Sequence, residues 1–550
     1  MNPISPNERR MFIWLASAGA VAICLFGNLG AIGLVGPDEP RYAWIARAMA
    51  ETGDWVTPRL YGQPWFEKPV LYYWAAAVGF RLHLPAEWAA RLPSAVAALA
   101  ATLAIAWLAW KHYSHDVNSL SSPVLLASLL FTTSVAAIGF SRSASPDMLF
   151  SASLTLAMAS ATCVFCRAEA LRAFKTVEGV SHSDATPLAL FGFFLALGTL
   201  AKGPAALALA GGAIGLWALF TRKWRMAFRL AHPIAVGVFG VVALPWYVVC
   251  VARNPDFLRV FILQHNFERY LTPMFQHRQP FWFFGPILLL ALVPWTPVLW
   301  PVAKEGLRLL REKSWSDSAG FFIACWAVFP VLFFSFSQSK LPGYVLPVIP
   351  PLALLCAVAA VRTTEKKTIE TRAVFTGVGI TWLLLGITAW RASVSASSIV
   401  TGTLGAFAPA AAIAGLVFAT ALVLLSIYDQ PHAVIGICVL AVTIAVEAAS
   451  LTALPKFDPL YSARYHAEFM SNDQHADRIF TYHLRRSWNY GLAFYFHREI
   501  PEWSPADPEA ALVLTTPEGF AEIQKRGRFR GVLDEPYSGV LYVPVRREPR

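Results

Sequence analysis

Charged residues are scarce in this chain of 550 residues, and long polar stretches are rare. Asp, Glu, Lys and Arg together make up only 14% of the sequence, whereas hydrophobic residues make up 56% and the mean hydropathy is +0.50. Length alone would suggest several soluble domains, but this composition is typical of a chain dominated by membrane spans. The scarcity of charge therefore excludes an ordinary soluble enzyme.

Cysteine is also rare, with seven residues that all lie in apolar stretches. A disulfide framework is therefore not expected. Cys163 and Cys166 form a C-x-x-C motif, but they lie inside an apolar run, which disfavours a redox or metal-binding role. The sequence likewise has no internal repeat, no low-complexity tract and no P-loop.

The formal net charge of +11 does not indicate nucleic-acid binding, because the basic residues fall in short loops between apolar runs. Such loops set the orientation of a membrane protein. They follow every second predicted span and share a side with Arg9 and Arg10, which precede a first helix that we expect to be retained. The positive-inside rule places this side in the cytoplasm, and it places the other loops and the C-terminus outside.

About thirteen apolar stretches approach the roughly 20 residues needed to cross a bilayer. The predicted spans are 11–34, 89–110, 122–140, 148–166, 187–201, 204–220, 232–252, 281–302, 319–337, 344–361, 373–390, 405–427 and 432–450.

The composition becomes polar after residue 454. Strands at 511–515 and 540–545 and a helix at 517–525 are predicted there. The expected fold is an all-α polytopic membrane domain over residues 1–454, followed by a small periplasmic α/β domain over 455–550.

The loops predicted to face outward hold acids, isolated bases, proline and glycine. The first, about 35–88, contains G-P-D-E-P-R-Y and F-E-K-P, and it predicts two short amphipathic helices on the membrane surface. Later loops contain S-P-D-M, A-K-G-P and S-K-L-P-G-Y. Because these motifs share one face, a single site could gather them.

Two adjacent carboxylates, Asp38 and Glu39, end the first span. A carboxylate at the membrane edge can accept a proton from an acceptor, orient it, or stabilise positive charge on a sugar ring. For this pair alone a solvated loop charge is the favoured interpretation. Arg41 and the Glu67–Lys68 pair in the same loop favour a functional one.

Five bases are predicted near span ends on the outward side, where the positive-inside rule disfavours them. A phosphate in the substrate would explain them, since Arg and Lys stabilise phosphate oxygens. The alternative is that their side chains merely extend to the interface. The phosphate interpretation is favoured for Arg41 and Lys68. For Lys202, Arg269 and Lys340 the two interpretations have equal weight.

Glu67 and His265 are candidate ligands of a divalent metal. Two ligands far apart in sequence are a weak signal, and a hydrogen-bonded interfacial histidine is the favoured interpretation of His265 from the residues alone.

In their order, these motifs resemble the 4-amino-4-deoxy-L-arabinose transferases. These lipid A-modifying enzymes are C-type (GT-C) membrane glycosyltransferases, akin to protein O-mannosyltransferases. The resemblance covers about residues 30–350, and it rests on G-P-D-E-P-R-Y-A-W-I-A-R-A-M, G-D-W-V-T-P-R-L, F-E-K-P-V-L-Y-Y-W, S-P-D-M, A-K-G-P, Q-H-R-Q-P-F-W and S-K-L-P-G-Y. One departure is Gln338-Ser339-Lys340, where the family often reads basic-Gly-Lys.

The resemblance implies an undecaprenyl-phosphate-linked aminoarabinose donor, a lipid A phosphate acceptor and inversion at the anomeric carbon. It implies four groups of site residues: catalytic acids at Asp38 and Asp147; donor-phosphate ligands at Arg41, Lys68, Arg269 and Tyr344; further substrate contacts at Glu39, Lys202, Lys340 and Tyr72; and a metal pair, such as a Zn²⁺ site, at Glu67 and His265.

A related transferase acting on protein or another glycan is the alternative within the enzyme class. A lipid or small-molecule transporter is the alternative from another class, but it predicts repeats and mid-membrane charges, of which we find few beyond Glu447. We expect a monomeric, multi-pass protein of the bacterial inner membrane whose site faces the periplasm, with no nucleic-acid partner.

Overall fold

The computed structural model shows a helical bundle followed by a small mixed domain. It describes residues 5–113, 120, 122–173, 184–271, 278–312, 319–366, 368–395, 407–471, 479–504, 511–525, 533–534 and 540–545.

The helices of the bundle follow one another with short connections. They are α1 Pro6–Phe26, α2 Asp38–Thr52, α3 Leu71–Arg81, α4 Ala86–His112, α5 Pro123–Thr132, α6 Val135–Ser141, α7 Pro146–Ala173, α8 Ala185–Lys202, α9 Ala205–Thr221, α10 Trp224–Phe228, α11 Pro233–Arg253, α12 Arg269–Leu271, α13 Phe284–Ala291, α14 Leu299–Glu312, α15 Ala319–Ser335, α16 Ile349–Lys366, α17 Ile369–Ser395, α18 Phe407–Ile427 and α19 Pro431–Ala448. A two-stranded hairpin, β1 Arg59–Leu60 and β2 Gln63–Pro64, separates α2 from α3.

Local sequence signals set several of these boundaries. Ser5 and Glu8 form a reciprocal capping box at the start of α1, which satisfies backbone donors that have no partner within the helix. Pro233 begins α11, where its missing N–H costs nothing. Gly203, with a φ of 70°, ends α8 in a conformation that a side chain would strain.

The membrane-spanning prediction is confirmed. Within the described residues, nine helices are long and apolar enough to cross a bilayer, two helix pairs are bent by 61° and 116°, and two shorter apolar helices span Ala205–Thr221 and Ala319–Ser335. Each of the thirteen predicted spans coincides with one of these segments. The chain is therefore a multi-pass membrane protein.

The segment predicted as the span 281–302 is not one straight helix. It consists of two helical parts, Phe281–Ala291 and Thr296–Glu312, that meet at an angle of 116°. Pro294 and Pro297 lie in the bend, and proline removes a helical hydrogen bond and crowds the preceding turn. Beyond the bend, α14 carries its charges on one side, which suits a helix lying along a membrane surface.

The motif loops meet at one end of the bundle, as predicted. We call the end that bears Asp38, Asp147 and Lys202 the site face. The opposite face carries ion pairs between residues of α14, α16 and α17 and the turn after α18: Lys304 with Glu370, Arg362 with Glu305, and Arg372 with Asp429.

Helix α2 is more deeply buried than expected for a helix that lies on the membrane surface. Ten of its 15 residues are buried, including Arg41 and Arg47. It is enclosed because it packs against α3 and against a helix of the C-terminal domain. The first loop is thus a folded part of the site face.

One buried ion pair joins four segments of the site face. Arg91 of α4 uses all five N–H groups: it donates to both oxygens of Glu39 and to the carbonyls of Leu29, Ile32 and Gly33. Glu39 also accepts hydrogen bonds from the backbone N–H groups of residues 35 and 144, at 2.8 and 2.7 Å. The segment after α1, the start of α2 and the loop before α7 are therefore held together against α4.

The C-terminal domain contains the predicted strands and helix. Its elements are α20 Leu454–Tyr461, α21 Arg464–Ser471, β3 Ile479–Tyr482, α22 Arg486–Phe496, β4 Ala511–Thr515, α23 Pro517–Lys525, β5 Leu533–Asp534 and β6 Leu541–Val545. The strand order is β3-β4-β6-β5, with β3 parallel to β4 and the other pairs antiparallel.

Polar contacts dock this domain on the site face. The Tyr495 hydroxyl donates to Glu87 at 2.8 Å and accepts from the backbone N–H of Leu34 at 2.8 Å. Arg464 bridges Glu87 and Asp458, at 3.3 and 2.8 Å. These contacts place the domain on the same side as the motif loops.

We predict that Glu39→Ala strongly destabilises the protein, because it leaves the buried Arg91 without its anion. Removing one partner of a buried pair costs about 3–5 kcal/mol. Thermal unfolding of the purified protein in detergent measures this loss. Glu51→Ala on the same helix is the control: its carboxylate is 63% exposed and 3.8 Å from Arg47, and such pairs contribute about 0–1 kcal/mol. Equally small shifts for both variants would contradict the prediction.

Candidate active site

Four charged side chains of the first loop form one cluster. Asp38 is the first residue of α2, and Arg41 lies three residues on, so both share one side of the helix. The Arg41 Nη2 atom is 2.6 Å from Asp38 and 2.9 Å from Glu67, and the Lys68 ammonium lies 3.5 Å from Glu67. The structure thus brings together a predicted catalytic acid, two predicted phosphate ligands and one predicted metal ligand.

Asp38 is the accessible carboxylate of this cluster, with 60% of its side chain exposed. Partial burial of the carboxylate nevertheless raises the pKa of Asp38 above its ordinary value, and the positive charge of Arg41 opposes this shift only in part. The negative charges of Glu67 and Asp147 also act on it. Asp147 therefore lies close enough to belong to the same site.

A second ion pair, between Asp147 and Lys202, joins the start of α7 to the end of α8. The Lys202 ammonium lies 5.5 Å from the ring centre of Tyr344 and 5.4 Å from that of Phe150. Gly343, next to Tyr344, lies close to Asp147 and leaves no room for a larger residue without movement of Phe140. Three predicted site residues from three loops are thus adjacent.

Aromatic rings surround the Arg41 guanidinium. Its central carbon lies 5.2 Å from the ring centre of Tyr42, 5.5 Å from that of Trp65 and 5.7 Å from that of Tyr490. Such cation–π contacts orient a guanidinium without using its hydrogen-bond donors. Only 10% of the Arg41 side chain is exposed, so the rings fix its direction.

The ring of Tyr490 comes from α22 of the C-terminal domain. One turn further along α22, the ring centre of Phe494 lies 4.2 Å from the guanidinium carbon of Arg47. Helices α2 and α22 therefore contact each other through two arginine–ring pairs. Sequence reasoning missed Tyr490, since no motif marks it and it lies far from the first loop. It also missed Trp65, which stands directly before the F-E-K-P motif.

Glu39 and Tyr72 do not reach this site, contrary to the predicted substrate contacts. Both oxygens of Glu39 are occupied by Arg91 and by backbone N–H groups, and Glu39 is only 5% exposed. Tyr72 is 1% exposed, and its hydroxyl donates to the carbonyl of Ala90 at 2.8 Å. Both residues have structural roles because their polar atoms already have protein partners.

Lys340 makes its hydrogen bonds outside the two clusters. The Lys340 ammonium is buried and donates to the carbonyls of Ser337 and Gln279, at 2.6 and 3.0 Å, which ties two loops together. Arg269 begins the short helix α12, and its side chain lies outside the described part of the chain. Their predicted substrate contacts stay predictions.

Glu67 and His265 line one cavity of about 560 Å³, so the predicted metal pair is brought together. Within the described ranges, however, no group of three His, Cys, Asp or Glu side chains could hold a metal ion. Catalytic zinc sites use three protein ligands, and Glu67 is already paired with Arg41. The residues described here do not fit a resident zinc ion, and we derive no step through one.

A sequence model of the dolichyl-phosphate-mannose-protein mannosyltransferase family matches residues 11–261. An undecaprenyl phosphate-alpha-4-amino-4-deoxy-L-arabinose arabinosyl transferase from Edwardsiella ictaluri is 34% identical over 321 residues, covering 58% of this chain and 54% of the relative. The enzyme of the same name from Aeromonas salmonicida is 30% identical, covering 59% of this chain and 56% of the relative. The chain thus spans about half the length of the curated relatives it matches.

Solved structures share the fold. ArnT from Cupriavidus metallidurans, bound to undecaprenyl phosphate, has a TM-score of 0.78 and 21% identity, covering 97% of this chain and 98% of that one. The apo Archaeoglobus fulgidus oligosaccharyltransferase has a TM-score of 0.51 and 11% identity, covering 90% and 64%. The predicted all-α polytopic fold and the resemblance to the aminoarabinose transferases are confirmed.

We predict that Tyr490→Ala weakens binding of undecaprenyl phosphate, because it opens the ring cage around Arg41. A cation–π contact contributes about 0.5–2 kcal/mol, or roughly two- to thirtyfold in affinity. Tyr490→Phe keeps the ring and is the matched control. Lipid binding by the detergent-purified variants measures the effect, and normal affinity of Tyr490→Ala would remove the C-terminal domain from the site.

Proposed function

Since the chain is a relative of the 4-amino-4-deoxy-L-arabinose transferases, we propose that it is an inverting glycosyltransferase. It moves 4-amino-4-deoxy-L-arabinose from undecaprenyl phosphate to a phosphate of lipid A. The relatives' names and the charged residues gathered at the site face support this proposal.

The observation that carries the proposal is the Asp38–Arg41–Glu67–Lys68 cluster at a membrane edge. Cations there are well placed to hold a lipid phosphate, whose apolar chain stays in the bilayer while its headgroup reaches α2. Arg41 is held between carboxylates and rings, so it is preorganised rather than free to rotate. Preorganised charge stabilises a leaving group without a cost of reorientation.

In the proposed reaction, the bond between the anomeric carbon and the donor phosphate oxygen breaks. Its electron pair leaves with undecaprenyl phosphate, whose negative charge Arg41 and Lys68 stabilise. An acceptor oxygen attacks the anomeric carbon from the opposite side, which inverts its configuration.

Asp38 is the proposed catalytic carboxylate. A phosphate acceptor is already anionic and needs little deprotonation, so Asp38 orients the reactants or balances positive charge on the sugar ring. With a hydroxyl acceptor, Asp38 takes the proton, and its raised pKa suits a general base better than an ordinary Asp. Asp147 and Lys202 form an ion pair on the other side of the site, next to Tyr344.

We place the site face in the periplasm and the protein in the bacterial inner membrane. The opposite face holds a group of basic residues, Lys304, Arg308, Arg362 and Arg372, and the positive-inside rule puts such a face in the cytoplasm. The C-terminal domain then lies in the periplasm, beside the site. We propose that one chain acts as a monomer.

A related transferase acting on protein is the second candidate. The family model that matches residues 11–261 is that of a protein mannosyltransferase, which favours this alternative. The acceptor decides between the two functions, and both use the same donor chemistry.

Mass spectrometry of lipid A from cells with and without the protein tests the main proposal. The wild-type chain should add a 4-amino-4-deoxy-L-arabinose mass to lipid A, and Asp38→Asn should fold normally but abolish nearly all of this addition. Glu51→Gln, an exposed carboxylate on the same helix, is the control and should retain transfer. Unmodified lipid A together with a glycosylated protein would favour the second candidate.

We predict that Lys68→Ala weakens binding of undecaprenyl phosphate about ten- to a hundredfold, because a charge-assisted contact contributes about 1.5–3 kcal/mol. Lys68→Arg should restore affinity only in part, since a planar fork and a point charge bind phosphate differently. Lys366→Ala, at the opposite face, is the control. Unchanged affinity of Lys68→Ala would exclude Lys68 from the phosphate site.

A further inference from the structure

Three buried donor atoms around the first-loop cluster have no hydrogen-bond partner among the described residues. They are Nε of Arg41, Nε1 of Trp65 and the hydroxyl of Tyr73. Buried polar groups in folded proteins nearly always have a partner, and one without a partner costs about 1–3 kcal/mol. Three such donors in one place indicate that something with acceptor atoms completes them.

The three donors come from different segments but face one region. The ring of Trp65 lies against the Arg41 guanidinium. The ring centres of Tyr72 and Tyr73 lie 5.9 and 6.1 Å from that of Tyr42, which also contacts Arg41. The charges of Glu67, Arg41 and Asp38 all act on the Tyr73 phenol.

Tyr73 remains a donor in this environment. Burial, reinforced by the negative charge of Glu67, raises the pKa of Tyr73 far above its ordinary value, so the phenol keeps its proton. A protonated phenol can donate one hydrogen bond.

The neighbouring tyrosine shows that burial alone does not explain the unpaired hydroxyl. Tyr72 and Tyr73 are both 1% exposed and follow one another on α3. Successive helical residues point about 100° apart, because a helix has 3.6 residues per turn. Tyr72 therefore donates to Ala90 of α4, whereas the hydroxyl of Tyr73 has no partner among the described residues and is subject to the charges of the first-loop cluster.

We propose that the Tyr73 hydroxyl, with Arg41 Nε and Trp65 Nε1, binds the phosphate headgroup of the lipid-linked donor. A phosphate offers several strong acceptor oxygens and no obligatory donor, which matches three donors that have no partner among the described residues. This inference rests on the proposed function and adds a substrate-binding residue to it. The rival occupant is a buried water molecule, which has acceptor capacity but no link to the lipid.

The test compares Tyr73→Phe with Tyr72→Phe in the full-length protein in detergent. Binding of undecaprenyl phosphate, binding of undecaprenol and the unfolding temperature are measured for each. For Tyr73→Phe we expect about ten- to a hundredfold weaker binding of undecaprenyl phosphate, since a hydrogen bond to a charged group is lost. Its binding of undecaprenol should not change, and its unfolding temperature without lipid should stay the same or rise.

Tyr72→Phe should behave in the opposite way, with normal lipid binding and a lower unfolding temperature, because it loses an intramolecular hydrogen bond. A further binding measurement uses inorganic phosphate alone as a competitor. It distinguishes a site for the lipid headgroup from a site for any free anion. Competition by inorganic phosphate at concentrations matching the lipid would show a general anion site and overturn the lipid assignment.

Two further results would overturn the inference. Normal affinity of Tyr73→Phe for undecaprenyl phosphate would show that the hydroxyl serves no ligand. A fall in its unfolding temperature equal to that of Tyr72→Phe would show that the hydroxyl has a partner in the ligand-free protein, such as a buried water. If the wild-type chain itself binds no undecaprenyl phosphate, the proposed function fails. If the wild-type chain binds the lipid and Tyr73→Phe binds it equally well, only the inference about Tyr73 fails.

Discussion

The buried ion pair of Glu39 and Arg91 is the constraint on which the site depends. Two charges inside a protein are stable only when their hydrogen-bonding groups are all satisfied, and here every N–H group of Arg91 has an acceptor. Because Glu39 also binds the backbone at residue 144, the pair sets the distance between α2 and the loop before α7. Asp38 is the next residue to Glu39, and Asp147 follows that loop. Both candidate carboxylates therefore take their positions from an ion pair that lies outside the two clusters.

The charges of the site itself are balanced in number. Three acids and three bases face one another in two clusters: Asp38, Glu67 and Asp147 with Arg41, Lys68 and Lys202. In the absence of substrate, each base is held by a carboxylate, which avoids an uncompensated cation at the membrane edge. In the proposed function, an arriving phosphate would compete with those carboxylates for the same donors. Rings around Arg41 keep its direction during that exchange, because cation–π contacts leave its N–H groups available.

The C-terminal domain has a place in this arrangement that its own sequence does not indicate. Its docking contacts run from Tyr495 of α22 and from Arg464 of α21 to Glu87 of α4. They hold α22 along α2, where Tyr490 and Phe494 cover Arg41 and Arg47. A domain without a catalytic motif of its own thus forms one wall of the site.

The sequence by itself determined the class of the protein and the face on which its site lies. Apolar length predicts spans, loop charge predicts sides, and both depend on the bilayer rather than on packing, so all thirteen segments and the convergence of the motif loops were predicted. Only the tertiary structure decided which of two neighbours is available: Asp38 rather than Glu39 is accessible, and the hydroxyl of Tyr73 rather than that of Tyr72 has no partner among the described residues. Adjacent helical residues point about 100° apart, so the choice depends on how each helix is rotated against its neighbours. The contribution of Tyr490 was equally invisible, since the contact between α2 and α22 joins residues about 450 positions apart.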